Sequence, residues 1–130
     1  MTQILQPPAW AKPRGYSNGV VASGRLVFIS GQIGWDAQCQ FQTTDFVGQT
    51  RQALVNVLTI LAEGGGKPEH IMRLTWYVVD KDDYLASSRA LGKVYQEVMG
   101  KHYPAMSVVE VSSLLEDQAK VEIEATAVIP

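Results

Sequence analysis

Two stretches with the periodicity of an amphipathic helix divide a sequence that otherwise favours strands. In the first stretch, apolar residues recur at spacings of three, four and seven, at Val47, Leu54, Val57, Leu58 and Leu61. Possible N-caps precede it at Thr43, Thr44 and Asp45, and Gly64-Gly65-Gly66 ends it. The second stretch extends from about Asp82 to Met99, with an apolar stripe at Leu85, Leu91, Val94, Tyr95 and Val98. Two helices placed in this way predict crossover connections between strands of one sheet.

Short runs rich in β-branched and aromatic residues predict five strands around these helices. The first two, Val20–Ala22 and Leu26–Ile29, flank Ser23-Gly24-Arg25 and predict a hairpin. The first nineteen residues, which precede this hairpin, predict a loop. Residues 71–79 form a run between the helices, and residues 106–111 and 120–128 form two runs after them. The last run alternates strictly, with Val121, Ile123, Ala125 and Ala127 on one face and Glu122, Glu124 and Thr126 on the other.

The order of these segments predicts an α+β fold in which a mixed sheet carries both helices on one face. The other face needs a cover, because residues 74–79 carry large apolar or aromatic side chains on both sides of their strand. We expect a second copy of the chain to provide that cover. The alternative is that Trp76 or Tyr77 simply lies on an exposed surface.

Length and composition narrow the class of protein. The chain of 130 residues suits one domain over residues 1–130, and 46% hydrophobic against 18% charged residues exclude a disordered chain. A net charge of −2 without a basic cluster argues against nucleic acid as a partner. The sequence shows no signal peptide and no apolar run that suits a membrane span, so we expect a cytoplasmic protein. One cysteine, Cys39, and two distant histidines predict neither a disulfide nor a metal site.

Six short motifs stand in a recognisable order along the chain: Gly15-Tyr16-Ser17, Ile29-Ser30-Gly31-Gln32, Gln49-Thr50, Asn56-Val57, Tyr103-Pro104-Ala105 and Val121-Glu122-Ile123-Glu124-Ala125. In this order the chain resembles the RidA (YjgF/YER057c/UK114) family, whose members include small enamine and imine deaminases. The resemblance implies a chorismate-mutase-like subunit that assembles as a homotrimer around a central barrel. It also implies small-molecule sites in the clefts between subunits.

One position departs from the pattern of the deaminating members. In those proteins an arginine follows the Pro-Ala pair and binds the substrate carboxylate in a bidentate manner. Met106 occupies this position here, and a thioether neither donates a hydrogen bond nor neutralises a carboxylate. The chain therefore resembles a branch of the family that lacks the arginine. Arg14, two residues before Tyr16, is a candidate replacement cation, and the alternative is an ordinary surface arginine.

The resemblance also implies a catalytic residue. Glu122 is the candidate that orients or activates the water attacking a C=N bond, because such hydrolysis needs a proton acceptor near the electrophilic carbon. The alternative is that Glu122 and Glu124 form an ordinary solvated face of their strand.

Further residues are candidates for contact with a substrate beside Met106. Tyr16 is expected to lie over the substrate, and Ser30 and Gly31 to bring backbone donors towards it. The alternatives are a packing role for Tyr16 and a strand-ending turn for Ser30 and Gly31. Asn56 is interpreted as structural, and Trp35 as either a pocket wall or a core residue.

Three functions follow from these observations. The first is a RidA-like hydrolase or deaminase that acts on a small reactive imine or enamine in the intersubunit cleft, without metal or organic cofactor. The second is a non-catalytic trimer that binds a small molecule in the same cleft. The third is the endoribonuclease activity with which the family has been labelled, and the charge of −2 argues against it.

Overall fold

A mixed four-stranded sheet with helices on one face forms the centre of the molecule. The computed structural model describes residues 2–130. Its elements in chain order are β1 (Thr2–Leu5), β2 (Gly19–Ala22), β3 (Arg25–Ile33), α1 (Phe46–Glu63), a 3-10 turn (Pro68–His70), β4 (Ile71–Val78), α2 (Lys81–Ala86), α3 (Ser88–Met99), β5 (Ala105–Glu110) and β6 (Val121–Ile129). The predicted α+β fold is confirmed. None of the helices among the described residues is both long and apolar enough to span a membrane.

The strand order of the large sheet is β3-β6-β4-β5, and β1 pairs with β2 in a separate two-stranded sheet. Strand β6 is antiparallel to both β3 and β4, whereas β4 and β5 are parallel. Helix α1 connects β3 to β4, and α2 and α3 connect β4 to β5, so both crossovers step across the sheet in one direction. Helix α1 packs on β3, β6 and α3. The predicted arrangement of both crossovers on one face is therefore confirmed.

The hydrophobic core lies between this face of the sheet and the helices. The alternating residues of β6 behave as predicted, since Val121, Ile123, Ala125 and Ala127 are buried. Strand β4 contributes Leu74, Trp76 and Val78, and helix α1 contributes Leu54, Val57 and Leu61. The opposite face of the sheet is called the open face below.

The helix limits differ from prediction only in the second helical region. Asp45 caps α1, where its carboxylate accepts a hydrogen bond from the Gly48 N–H at 2.8 Å. The single helix expected from about Asp82 to Met99 is wrong, because the chain breaks at Ser87 into α2 and α3. Leu85 consequently lies outside the apolar stripe and is 61% exposed. Adjacent serines favour such a break, since their hydroxyls compete with the helical hydrogen bonds.

The predicted hairpin between β2 and β3 is wrong. Strand β2 pairs with β1, which lies within the segment predicted to be a loop, and β3 pairs with β6. Gly24, at φ 146°, carries the chain from the small sheet to the large one. A Cβ at this position would overlap the backbone of Ile129, so the passage beside the end of β6 requires a glycine.

The expectation that β4 carries large apolar or aromatic side chains on both faces is met on the open face by Tyr77 alone. Its open face carries Arg73, Thr75 and Tyr77, of which Arg73 is exposed and the other two are half-buried. The exposed apolar side chains of the open face lie mainly on the edge strand β3, where Leu26 is 61% and Phe28 is 75% exposed. That a second copy covers the open face therefore stays a prediction. Its support comes from the exposed apolar side chains of the edge strand β3 and not from β4.

Candidate functional site

The segment before β2 is attached to the start of β5. The Ser17 N–H donates a hydrogen bond to the Pro104 carbonyl at 3.0 Å, and the Ser17 hydroxyl donates one to the Tyr103 carbonyl at 2.5 Å. Ser17 also forms a parallel bridge with Ala105. These contacts bring two of the sequence motifs together, and they place Tyr16 beside Met106.

A cavity of about 820 Å³ lies at this junction, on the helix side of the sheet. Arg14, Tyr16 and Met106 all line it, so the structure brings these three predicted residues together. Met106 is paired with Leu74, a core residue, which fixes it on the helix side of β5. The lining also includes Arg89 of α3, which the sequence analysis did not select, and it contains no carboxylate.

Aromatic side chains form much of the wall of this cavity, namely Tyr16, Trp76, Tyr84, Tyr95 and Tyr103. Tyr95 and Tyr103 stack with ring centroids 5.5 Å apart, and Trp76 packs edge-to-face on Tyr84 at 6.1 Å. The Tyr95 hydroxyl donates to the His102 carbonyl at 2.6 Å, and burial raises the pKa of Tyr95 well above its ordinary value. The wall is thus held by packing and by hydrogen bonds.

One polar atom of this wall has no partner among the described residues. The Trp76 Nε1 atom is buried and forms no hydrogen bond, although Trp76 itself lines the cavity. An unpaired buried N–H costs about 1–3 kcal/mol. Trp76 therefore carries a buried donor that lacks an acceptor among the described residues.

A second group of predicted residues lies on strands β3 and β6. The ladder pairs Ile29 with Ala125 and Gln32 with Ile123, so Ser30 and Gly31 together oppose a single residue of β6. This β-bulge leaves one residue of β3 outside the regular pairing. A Cβ at Gly31 would overlap the Glu122 carboxylate, so the close approach of that carboxylate to the bulge requires glycine. The structure thus brings Ser30, Gly31 and Glu122 together.

The open face around Glu122 carries further charged and polar groups. The Tyr77 hydroxyl donates a hydrogen bond to the Glu124 carboxylate at 2.7 Å. This bond is the main cause that raises the pKa of Tyr77, and the negative charges of Glu124 and Glu122 add to it. A smaller cavity of about 420 Å³ lies beside them, lined in part by Phe28, Ser30, Arg73 and Glu124. The open face is therefore polar at its centre.

The two groups do not meet within one subunit. Met106 projects to the helix side of the sheet with Leu74, whereas Glu122 lies opposite Tyr77 on the open face. Arg14 and Tyr16 belong to the first group, and Ser30 and Gly31 belong to the second. A site that uses all six residues consequently needs one group from each of two copies.

Other residues discussed above hold the framework together. The Asn56 amide donates to the carbonyls of Ile33 and Trp35 at 3.1 Å and 2.8 Å, which supports its structural interpretation. Trp35 packs against Phe41, with ring centroids 5.8 Å apart, and lines neither cavity described above.

Sequence reasoning missed the role of Gln49, which is fully buried. Its amide donates to the Thr43 and Gln118 carbonyls at 3.2 Å and 3.0 Å, and its carbonyl oxygen accepts from the Lys120 N–H at 2.8 Å. This side chain attaches the start of α1 to the loop before β6. Its sequence signal is a polar residue at helical spacing from the buried stripe of α1.

The fold and sequence match known proteins over nearly the whole chain. Residues 8–129 match the family described as Endoribonuclease L-PSP. A RutC family protein of Pyrococcus horikoshii is 35% identical over 128 residues, which cover 98% of each chain. A 2-iminobutanoate/2-iminopropanoate deaminase of Salmonella typhimurium is 36% identical over 108 residues, which cover 81% of this chain and 80% of that protein.

Solved structures agree with this assignment. YyfB of Yersinia pestis, described as a protein of unknown function of the conserved Rid family, superposes with a TM-score of 0.87 at 30% identity over 98% of both chains. Escherichia coli TdcF with bound serine superposes with a TM-score of 0.72 at 31% identity, over 98% of this chain and 99% of TdcF. The chain, as its six motifs indicate, therefore belongs to the Endoribonuclease L-PSP family, which includes the RidA and YjgF proteins.

Proposed function

We propose that the protein hydrolyses the C=N bond of a small reactive imine, or of the imine tautomer of an enamine, in a cleft between two copies of a homotrimer. One copy supplies Glu122, Ser30 and Gly31, and the other supplies Tyr16, Arg14 and Met106. The observation that carries the proposal is the contact between the Glu122 carboxylate and Gly31 at the bulge of β3. It places a proton acceptor beside backbone that has no side chain to block a substrate.

The chemistry requires one base that later acts as an acid. Glu122 accepts a proton from water while the oxygen attacks the carbon of the protonated imine, and a tetrahedral amino alcohol forms. The same carboxyl group then returns the proton to the nitrogen. As the C–N bond breaks, the regenerated carboxylate takes the proton of the hydroxyl group, and a carbonyl compound and ammonia leave. The proton that the imine brought then passes from Glu122 to ammonia or water. Tyr16 supplies a flat face and a hydroxyl over the reacting carbon.

The comparisons support this choice of reaction class. The Salmonella relative is named as a deaminase of 2-iminobutanoate and 2-iminopropanoate, and TdcF was solved with serine bound. All three compounds carry a nitrogen on the carbon next to the carboxylate. Met106 gives no cation to hold such a carboxylate, so short imino acids are expected to react poorly with this protein.

The second candidate function is a trimer that binds a small molecule without reaction. The observation that favours it is the same residue, because Met106 stands in the cavity where a hydrogen-bond donor is expected. Endoribonuclease activity is less well supported. The chain has a net charge of −2, and a single-stranded nucleic-acid site combines a basic groove with stacking side chains.

Ammonia release distinguishes hydrolysis from binding alone. Imino acids generated in the assay by an amino acid oxidase are the substrates, and release is compared with the uncatalysed rate. We expect Glu122→Gln to lower kcat about 10²- to 10⁴-fold, the usual contribution of a general base. Glu63→Gln, at the exposed end of α1, is the control and should keep the wild-type rate. An unchanged rate in Glu122→Gln would contradict the proposal.

Mixing two inactive variants tests whether the site spans two copies. Glu122→Gln and Tyr16→Ala each damage a different group. If each site takes one group from each of two neighbouring copies, every mixed trimer regains one intact site in three. Random assembly from equal amounts of both variants therefore restores roughly a quarter of all sites. If both groups belong to one subunit, mixing restores nothing, and the intersubunit part of the proposal is wrong.

A further inference from the structure

The cavity beside Met106 is positively charged although the whole chain is not. Its lining includes two exposed arginines, Arg14 and Arg89, and no acidic residue, whereas the net charge of the chain is −2. Within residues 2–130, the only ion pair joins Arg51 to Glu97. Neither cavity arginine donates a hydrogen bond to a described side chain or carbonyl. Two unpaired cations facing one cavity favour an anionic ligand.

Arg89 reaches this cavity because of its position on α3. It is the second residue of that helix, and the N-terminal turn of a helix adds a partial positive charge. Lys93, one turn later on the same helix and also exposed, does not line the cavity. The local charge is therefore a property of one helix turn and of the segment around Arg14.

The remaining wall indicates the kind of anion. Five aromatic side chains line the cavity, and two of them stack on one another. The volume of about 820 Å³ lies well within the range of 300–1,000 Å³ typical of sites for small organic molecules. Trp76 contributes the flat surface of its ring to the same wall. The cavity thus combines two cations with flat apolar surface.

We infer that Arg14 and Arg89 together bind the carboxylate of an aromatic organic acid, and that the substrate class of the protein is an imino acid with an aromatic side chain. This inference rests on the proposed function for the reaction, and on the cavity alone for the ligand. Arg89 is then a specificity-determining residue. The cation that binds the carboxylate comes from α3 and from the segment before β2, and Met106 contributes apolar surface.

Calorimetric titration with phenylacetate and its neutral counterpart phenylacetamide tests the charge. We expect phenylacetate to bind at least tenfold more tightly than phenylacetamide, because only the acid pairs with the guanidinium groups. Acetate tests the aromatic wall and should bind at least tenfold more weakly than phenylacetate. Equal affinities for the acid and the amide would overturn the inference.

Variants of α3 test the assignment to Arg89. Arg89→Ala and Arg89→Gln should each weaken phenylacetate binding at least tenfold without changing the affinity for phenylacetamide. Arg89→Lys should restore part of the loss, since it keeps the charge and loses the bidentate geometry. The control Lys93→Ala removes a cation from the same helix and should bind as wild type. Wild-type affinity in a folded Arg89→Ala protein would overturn the assignment.

The outcomes separate this inference from the proposed reaction. If phenylacetate binding depends on Arg89 while Glu122→Gln leaves ammonia release unchanged, the proposed carboxylate site is supported and the proposed hydrolysis is contradicted. If ammonia release depends on Glu122 while phenylacetate and phenylacetamide bind equally, the proposed hydrolysis is supported and the inference of an aromatic acid as ligand is contradicted.

Discussion

The two faces of the central sheet are built from the same strands and differ in every other respect. In β6, Val121 and Ile123 are fully buried under the helices, whereas Glu122 and Glu124 between them lie half-buried on the open face. In β4, Leu74 and Trp76 join the core, whereas Tyr77 donates to Glu124. Strand alternation thus lets one sequence bury an apolar face under the helices and present a polar face on the other side of the sheet.

The sharpest test of this division uses neighbouring residues. Ile123→Ala removes a fully buried side chain, and we expect it to lower the free energy of unfolding by about 2–5 kcal/mol. Glu122→Gln, one residue away, should change it by less than about 0.5 kcal/mol, as substitutions outside the core usually do. Urea denaturation measures both values. Comparable losses would show that the open face also supports the fold.

The second test concerns the proposed trimer. Phe28→Asp places a charge on the 75% exposed residue of the open face and should weaken assembly at least 100-fold, because an interface would bury that charge unpaired. Val55→Asp, on the exposed side of α1, is the matched control and should leave assembly intact. Light scattering should give three times 14.3 kDa for the wild type and for the control. A monomeric wild type would remove the basis for a shared cleft.

A third test asks whether α1 fixes the end of β3. The Asn56 amide bonds two carbonyls that follow the bulge, so Asn56→Ala leaves both without their partner. We expect a loss of about 1–3 kcal/mol in the free energy of unfolding. Gln52→Ala, which removes only the neighbour that donates to Asn56, should cost less. Hydrogen exchange of the Ile33 to Trp35 amides should rise in the first variant, and no rise would contradict this role.

The smallest expected effect concerns the pKa values of two tyrosines, Tyr77 on the open face and Tyr95 on the helix side of the sheet. The pKa of Tyr95 is raised chiefly by burial, and the pKa of Tyr77 chiefly by its hydrogen bond to Glu124. Because folding raises both pKa values, the folded state is favoured by keeping each tyrosine hydroxyl protonated. This stabilisation is fully present below the ordinary tyrosine pKa of 10.0 and is lost as pH rises through the raised pKa of the folded state. Glu124→Gln should therefore lower the pKa of Tyr77 and leave that of Tyr95 unchanged in a spectroscopic titration. A shift of both would mean that the faces are electrostatically coupled.

Local patterns predicted much of this structure. Asp45 caps α1, Gly64 follows its end, and the alternation of β6 assigns each residue to the correct face, because caps, stops and periodicity act within a few residues. Which strands pair with one another is not decided by such local patterns. Val20–Ala22 suits any adjacent strand, so the sequence pattern did not exclude a hairpin with β3.

The candidate site was predictable in part. The motifs that resemble a known family selected Tyr16, Ser30, Gly31, Met106 and Glu122, but not their division between two faces, which follows from strand register. Arg89 carried no signal of its own. In the sequence it resembles Lys93, a cation on the same helix, and the two differ only in that the fold places Arg89 at the cavity and Lys93 away from it.

The position of β6 has a consequence for how the chain folds. This strand follows all the others in sequence but lies between β3 and β4 in the sheet, and it pairs Arg25 with Ile129. Closing so long a loop is entropically costly, and topologies dominated by distant pairs fold slowly. During synthesis, β3, β4 and β5 emerge before β6, which joins β3 to β4. Until β6 pairs with them, the facing edges of β3 and β4 are exposed, and exposed strand edges favour aggregation with other chains.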